Sequence, residues 1–172
     1  GPAMAEQSGK GVAVVTGGAS GIGAACAKRF AADGYELALL DVNESGLAET
    51  ADAIAQAGGT ARTYTCDVAD HDAQVALAKS IESDMGPVHV LFTSAGLIPN
   101  KDMLLTMDLA EHQRFMDVNY NGTLYSVRAF APAMQARKSG AICTVGSVNS
   151  FIQLPLPAYN VGKVAIKRLT EL

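Results

Sequence analysis

The chain has 172 residues, 49% of them hydrophobic and 17% charged, with a net charge of -4 and a pI near 5.3. That length suits one domain with a sizeable core, and the acidic balance argues against a nucleic-acid surface, which carries a basic stripe. No apolar run reaches the roughly 18 to 20 residues of a membrane span, and no charged-then-apolar leader opens the chain, so no membrane partner is expected.

Residues 1–9, opening on Gly1-Pro2, read as the remnant of a cleaved expression tag with a short tail, and residues 10–172 as a single domain. Cys26, Cys66 and Cys143 lie far apart with no C-x-x-C. They predict free thiols in a reducing, cytoplasmic setting rather than disulfides or a zinc site.

From Lys10 onward, strand-length apolar runs alternate with amphipathic stretches. "GVAVVT" (11–16) reads as a first strand, followed by a glycine-rich turn and a helix starting near Ile22. "YELALLD" (35–41) is the second strand, and 43–57 follows as a helix with Leu47, Ala51 and Ile54 on one face. "TARTYTCDV" (60–68) is the third, and the helix over 70–85 presents Val75, Ala78 and Ile81. "PVHVLFTSAG" (87–96) is the fourth. A long helix then starts at Asp108, which forms a capping box with Glu111, and continues past Phe115 and Leu124 to Arg137. "GAICTVGSV" (140–148) is the fifth strand. Gly34, Gly58, Gly86 and Gly140 follow four of the helical stretches as stop signals. This alternation predicts an α/β fold, a doubly wound parallel sheet with helices on both faces.

In such a sheet ligands bind at the carboxyl ends of the strands. The first run ends in Gly17, Gly21 and Gly23, spaced G-x-x-x-G-x-G between a strand and a helix. Glycines there permit a sharp turn and close approach to a phosphate, at which the helix aims its free N–H groups. Asp41 ends the second run, eighteen residues beyond Gly23. A carboxylate at that point accepts hydrogen bonds from both hydroxyls of an adenosine ribose and repels a 2′-phosphate, which favours NAD over NADP. Asp67-Val68 ends the third run, placed to flank an adenine ring. Asp70-His71-Asp72 are adjacent rather than spaced to converge on an ion, so they read as a helix start, and no metal is expected. His89 and His112 are isolated, and Met103, Met107 and Met116 read as packing residues.

Tyr159 follows Ser147 by twelve residues, with Lys163 one helical turn further on. The Tyr-x-x-x-Lys spacing alone is weak, but its company is not. "TGGASGIG", "CDV", "SAG", the "VN" of Val118-Asn119, "GS" and "YNVGK" come in one order, and in that order the chain resembles the short-chain dehydrogenase/reductase family from Lys10 onward. The resemblance implies a Rossmann-like fold and a catalytic tetrad of Asn119, Ser147, Tyr159 and Lys163. It implies that Gly17, Ser20, Gly21, Ile22, Gly23, Asp41, Asp67, Val68, Ser94, Ala95 and Gly96, together with Tyr159 and Lys163, hold the cofactor. Ser147, Asn149 and Tyr159 would meet the substrate. The implied function is hydride transfer between NAD, less readily NADP, and a secondary alcohol or ketone, in a homodimer or homotetramer. A non-catalytic dinucleotide sensor or scaffold on the same fold is the alternative.

The chemistry is intelligible without the resemblance. A free phenol titrates near pH 10 and is a poor base at neutrality, and a nearby lysine ammonium favours its phenolate. The Ser147 hydroxyl is suited to orient a substrate oxygen. The apolar "FIQLPLP" (151–157) suggests a hydrophobic pocket wall. Three departures from the family pattern stand out. Thr93-Ser94 replaces a pair of asparagines, so the polar brace on the glycine loop is expected to be weaker or different. The interval from Ser147 to Tyr159 is one residue short. The chain ends nine residues after Lys163, where family members add two strands and much of the substrate lid, so it reads as C-terminally incomplete, with the fifth strand an uncovered edge.

Overall fold

A strand that is apolar at all but its last position needs partners on both edges and cover on both faces, and β1 (Val12–Thr16) has them: all five residues are buried. It is central in the computed structural model, which describes residues 9–98, 105–147 and 157–171. The five parallel strands run in the order β3-β2-β1-β4-β5, with β2 at Glu36–Asp41, β3 at Ala61–Thr65, β4 at Val88–Thr93 and β5 at Ala141–Thr144. Alternation along the strands divides the core in two. Ala13, Val15, Leu37 and Leu39 pack with Ala27 of α1 (Gly21–Ala32) and with Leu47 and Ile54 of α2 (Glu44–Gln56). Val12, Val14, Ala38 and Leu40 face the other way, against Ala78 and Ile81 of α3 (His71–Met85) and Phe130 of α5 (Gly122–Arg137). This is the doubly wound, three-layer arrangement that strand–helix alternation predicts.

The helix starts are capped as their sequences dictate. Asn43 Oδ1 accepts from the Gly46 N–H (3.0 Å), Asp70 Oδ1 from Ala73 (3.0 Å), and Asp108, ahead of α4 (Leu109–Met116), from Ala110 (2.8 Å). Asp70 is therefore a cap, as the sequence suggests. The long helix expected from Asp108 to Arg137 is continuous but changes pitch: Asp117–Asn121 is a π-helical turn joining α4 to α5. The last helix, α6 (Pro157–Thr170), lies against that turn and α4.

Three strands end sooner than the apolar runs suggest. β3 stops at Thr65, β4 at Thr93 and β5 at Thr144 rather than at 68, 96 and 148. Register explains it: Thr16 pairs with Leu40 and Thr93, Asp41 with Thr65, and Thr93 with Thr144, so the carboxyl ends finish in one row. The residues beyond that row leave the sheet and form the rim of a cleft. β5 is an edge strand whose first three residues are exposed. Among the described residues no helix is long and apolar enough to cross a membrane.

Candidate active site

The glycine turn is shaped by contacts as much as by torsions. Gly17 has φ +70°, and a Cβ there would lie 2.7 Å from the Ala95 nitrogen, so the loop after β4 packs directly on the turn. The brace expected to be weaker or different is a different one here: Thr16 Oγ1 accepts from the N–H groups of Ser94 (3.1 Å) and Ala95 (3.2 Å). A Cβ on Gly23 would lie 2.1 Å from the Gly17 carbonyl oxygen, which sets how closely α1 approaches the turn. At Gly21, φ +54°, a Cβ would meet nothing within 4 Å. Ser20 precedes α1 without a side-chain capping bond, and Ser20, Gly21 and Ile22 at the positive helix end are exposed. That cradle fits a pyrophosphate.

The next two strand ends carry carboxylates. Asp41 Oδ2 accepts from the Ala19 N–H and Oδ1 from the Asn43 N–H, both at 3.1 Å, so Asp41 also pins the glycine loop. Asp67 Oδ1 accepts from the Ala69 N–H (3.0 Å), and Oδ2 pairs with Arg114 of α4 (2.9 Å). Each oxygen keeps one lone pair. Behind them, the fully buried Gln74 donates to the Val68 carbonyl (2.7 Å) and to Gly122 (3.2 Å), and its oxygen accepts from Ser126 (2.7 Å). Burial, with Asp70 and Asp67 nearby, pushes the Cys66 thiol up to about 11, so it stays protonated at neutral pH and serves as a small apolar wall.

Asn119 sits in the π turn, 1% exposed, and grips the loop after β4: its Oδ1 accepts from the Leu97 N–H (2.6 Å) and its Nδ2 donates to the Leu97 carbonyl (2.9 Å). Tyr159 packs edge-on against Phe115, ring centroids 6.0 Å apart. Lys163 Nζ lies 5.6 Å from the Tyr159 ring centroid and donates to the Val145 carbonyl (3.4 Å). Lys163 is 9% exposed, and loss of water lowers its pKa below 10.5. Ser147 lies half-buried three residues past the end of β5.

A cavity of about 430 Å³ unites these parts. Gly17, Ser20, Gly21 and Ile22 line one end, and Asp41, Asp67 and Val68 the next. Ser94, Ala95, Gly96 and Tyr159 line it as well. Gly23, Asn119, Ser147 and Lys163 do not line it; Gly23 and Asn119 shape the wall through Gly17 and Leu97. Asn149 and most of the 151–157 segment, like Met103, lie outside the described residues. Arg114 is a wall residue the sequence does not announce: its partner Asp67 is 47 positions away and no motif marks the pair. Leu97 and Val145 were equally unmarked, being apolar residues just past strand ends.

Comparison with known proteins bears on this geometry. A family model described as short chain dehydrogenase matches residues 11–172. The chain is 36% identical over 165 residues to an uncharacterised oxidoreductase of Mycobacterium bovis, covering 93% of this chain and 48% of the relative. It is 31% identical over 155 residues to estradiol 17-beta-dehydrogenase 11 of Pongo abelii, covering 90% and 51%. The chain thus spans about half the length of these curated relatives. Among solved structures it resembles a metagenomic short-chain oxidoreductase in complex with NADP, with TM-score 0.91 and 32% identity, covering 96% of this chain and 75% of that one. It likewise resembles an NAD+-bound xylitol dehydrogenase, with TM-score 0.91 and 29% identity, covering 95% and 63%.

Proposed function

The chain belongs to the short-chain dehydrogenase/reductase family, and from that premise we propose that it is an oxidoreductase for a secondary alcohol or ketone, with NAD as its cofactor. The observation that carries the reading is one juxtaposition. The Tyr159 phenol stands in the wall of the cavity that the glycine turn, Asp41 and Asp67 also line, with the Lys163 ammonium 5.6 Å from its ring.

When bound, the nicotinamide exchanges a hydride with the substrate carbon. The proton falls to the chain's own residues. Tyr159 takes it from an alcohol hydroxyl or returns it to a ketone oxygen. Lys163 favours the phenolate by its charge, and the Ser147 hydroxyl donates to the substrate oxygen and orients it. Asn119 acts through Leu97, holding the loop after β4 in place. The pyrophosphate is assigned to the start of α1, and the adenosine ribose to Asp41. Asp41 supports NAD over NADP because a 2′-phosphate beside it would face an uncompensated carboxylate.

Three free thiols are consistent with a reducing, cytoplasmic setting. Exposed Val161 and Val164 on α6 support a two-fold assembly through this face. The test of the reaction is an absorbance screen at the reduced-nicotinamide band with alcohols and ketones of increasing apolar bulk and both cofactors. Turnover with NAD is expected. Tight dinucleotide binding with no turnover across the panel would favour a sensor instead.

A further inference from the structure

Arg114 lines the cavity from α4, outside every motif, and its guanidinium meets the Asp67 carboxylate at 2.9 Å. The pair is half-exposed, and an isolated exposed pair contributes little to stability. Nor is it needed to hold the loop it reaches. The Cys66 N–H bonds the Asp41 carbonyl (3.0 Å), the Asp70 N–H bonds the Asp67 carbonyl (2.9 Å), and Gln74 secures the Val68 carbonyl. The backbone is therefore fixed from within, and what Arg114 adds is the direction of one side chain.

That direction has a chemical consequence. With Oδ1 on the Ala69 N–H and Oδ2 on Arg114, the carboxylate is held in one orientation at both oxygens, and its remaining lone pairs are acceptors only. Beside a purine, a fixed acceptor suits an exocyclic amine and repels a carbonyl at the same ring position. We propose that Arg114 is a positioning residue for the base: by holding Asp67 it makes this end of the cavity select a 6-amino purine over a 6-keto purine. The inference rests on the dinucleotide reading given above.

The experiment is an equilibrium titration of the wild type, Arg114→Met and Arg114→Lys with NAD and with nicotinamide hypoxanthine dinucleotide, alongside thermal melts. The wild type should prefer NAD by about tenfold, the share of one hydrogen bond to a charged group. Arg114→Met should melt like the wild type yet bind NAD more weakly and lose most of the preference, and Arg114→Lys should keep part of it. A wild type that binds both dinucleotides equally, or an Arg114→Met protein with the wild-type preference, overturns the assignment and leaves the oxidoreductase reading standing. Should Arg114→Met fail to fold, a full wild-type preference in Arg114→Lys at raised salt, where an exposed pair is screened, overturns it as well. A wild type that binds neither these dinucleotides nor NADP overturns both readings together.

Discussion

An ammonium shielded from water is costly to fold around, and Lys163 is 9% exposed with its pKa pushed down by burial. The sign of the effect on stability follows. A lysine whose folded pKa lies below its unfolded value carries its penalty where both states are protonated, and sheds it as pH rises through the folded pKa toward 10.5. Melting of the wild type and Lys163→Met should therefore converge or cross in the wild type's favour as pH rises toward 10.5; a gap that ignores pH would contradict this. In catalysis the order of effects is diagnostic. Tyr159→Phe should leave NAD affinity nearly intact while turnover falls by roughly 10² to 10⁴, the usual share of acid–base catalysis. Lys163→Met should cost more and weaken NAD binding too, as single-turnover and binding data would show. At Asp41 we expect NAD to bind at least about tenfold tighter than NADP. Asp41→Ala should narrow that gap by about 1–3 kcal/mol. Because Asp41 also holds the Ala19 and Asn43 N–H groups, the variant should lose some affinity for both cofactors, a penalty that a purely repulsive role would not produce.

At the turn after β1, elements meet through glycines rather than through large side chains. Placing a methyl on Gly23 requires α1 to back away from the Gly17 carbonyl, and overpacking of this kind costs about 1–3 kcal/mol. Gly23→Ala should lower the denaturation midpoint and weaken dinucleotide binding in step, although Gly23 does not itself line the cavity. A variant with wild-type affinity would show that the turn tolerates the displacement. The sequence marked this turn by its spacing, the start of α4 by its capping box and the start of α3 by Asp70-His71-Asp72. It could not mark where β3, β4 and β5 end. Val68, Ala95 and Val145 are apolar because they wall a cleft, and hydrophobicity alone does not distinguish a residue buried by a sheet from one facing a ligand. Arg114 escaped for a different reason: its importance lies in a partner brought near by folding. The change of pitch at Asn119 likewise leaves no trace in periodicity over so short a stretch.

Across the whole molecule, protection should follow the sheet order. β1 is buried throughout and sits between two neighbours, whereas β5 is an edge whose first three residues are exposed. Hydrogen exchange should be slowest in β1, β2 and β4 and markedly faster in β5; comparable rates in β1 and β5 would mean that the edge is covered in solution. The doubly wound fold itself was legible from alternation and length alone, since few other architectures bury five such runs. The same strand order bears on how the chain is made. The ribosome delivers β1, β2 and β3 in turn, and they can pair at once, but the other flank of β1 waits for β4, whose last residue is Thr93. Until then a fully buried strand has an open side, and the cleft has only the wall made by the glycine turn, Asp41 and Asp67. It is in that interval that chaperones should matter most to the yield of this protein.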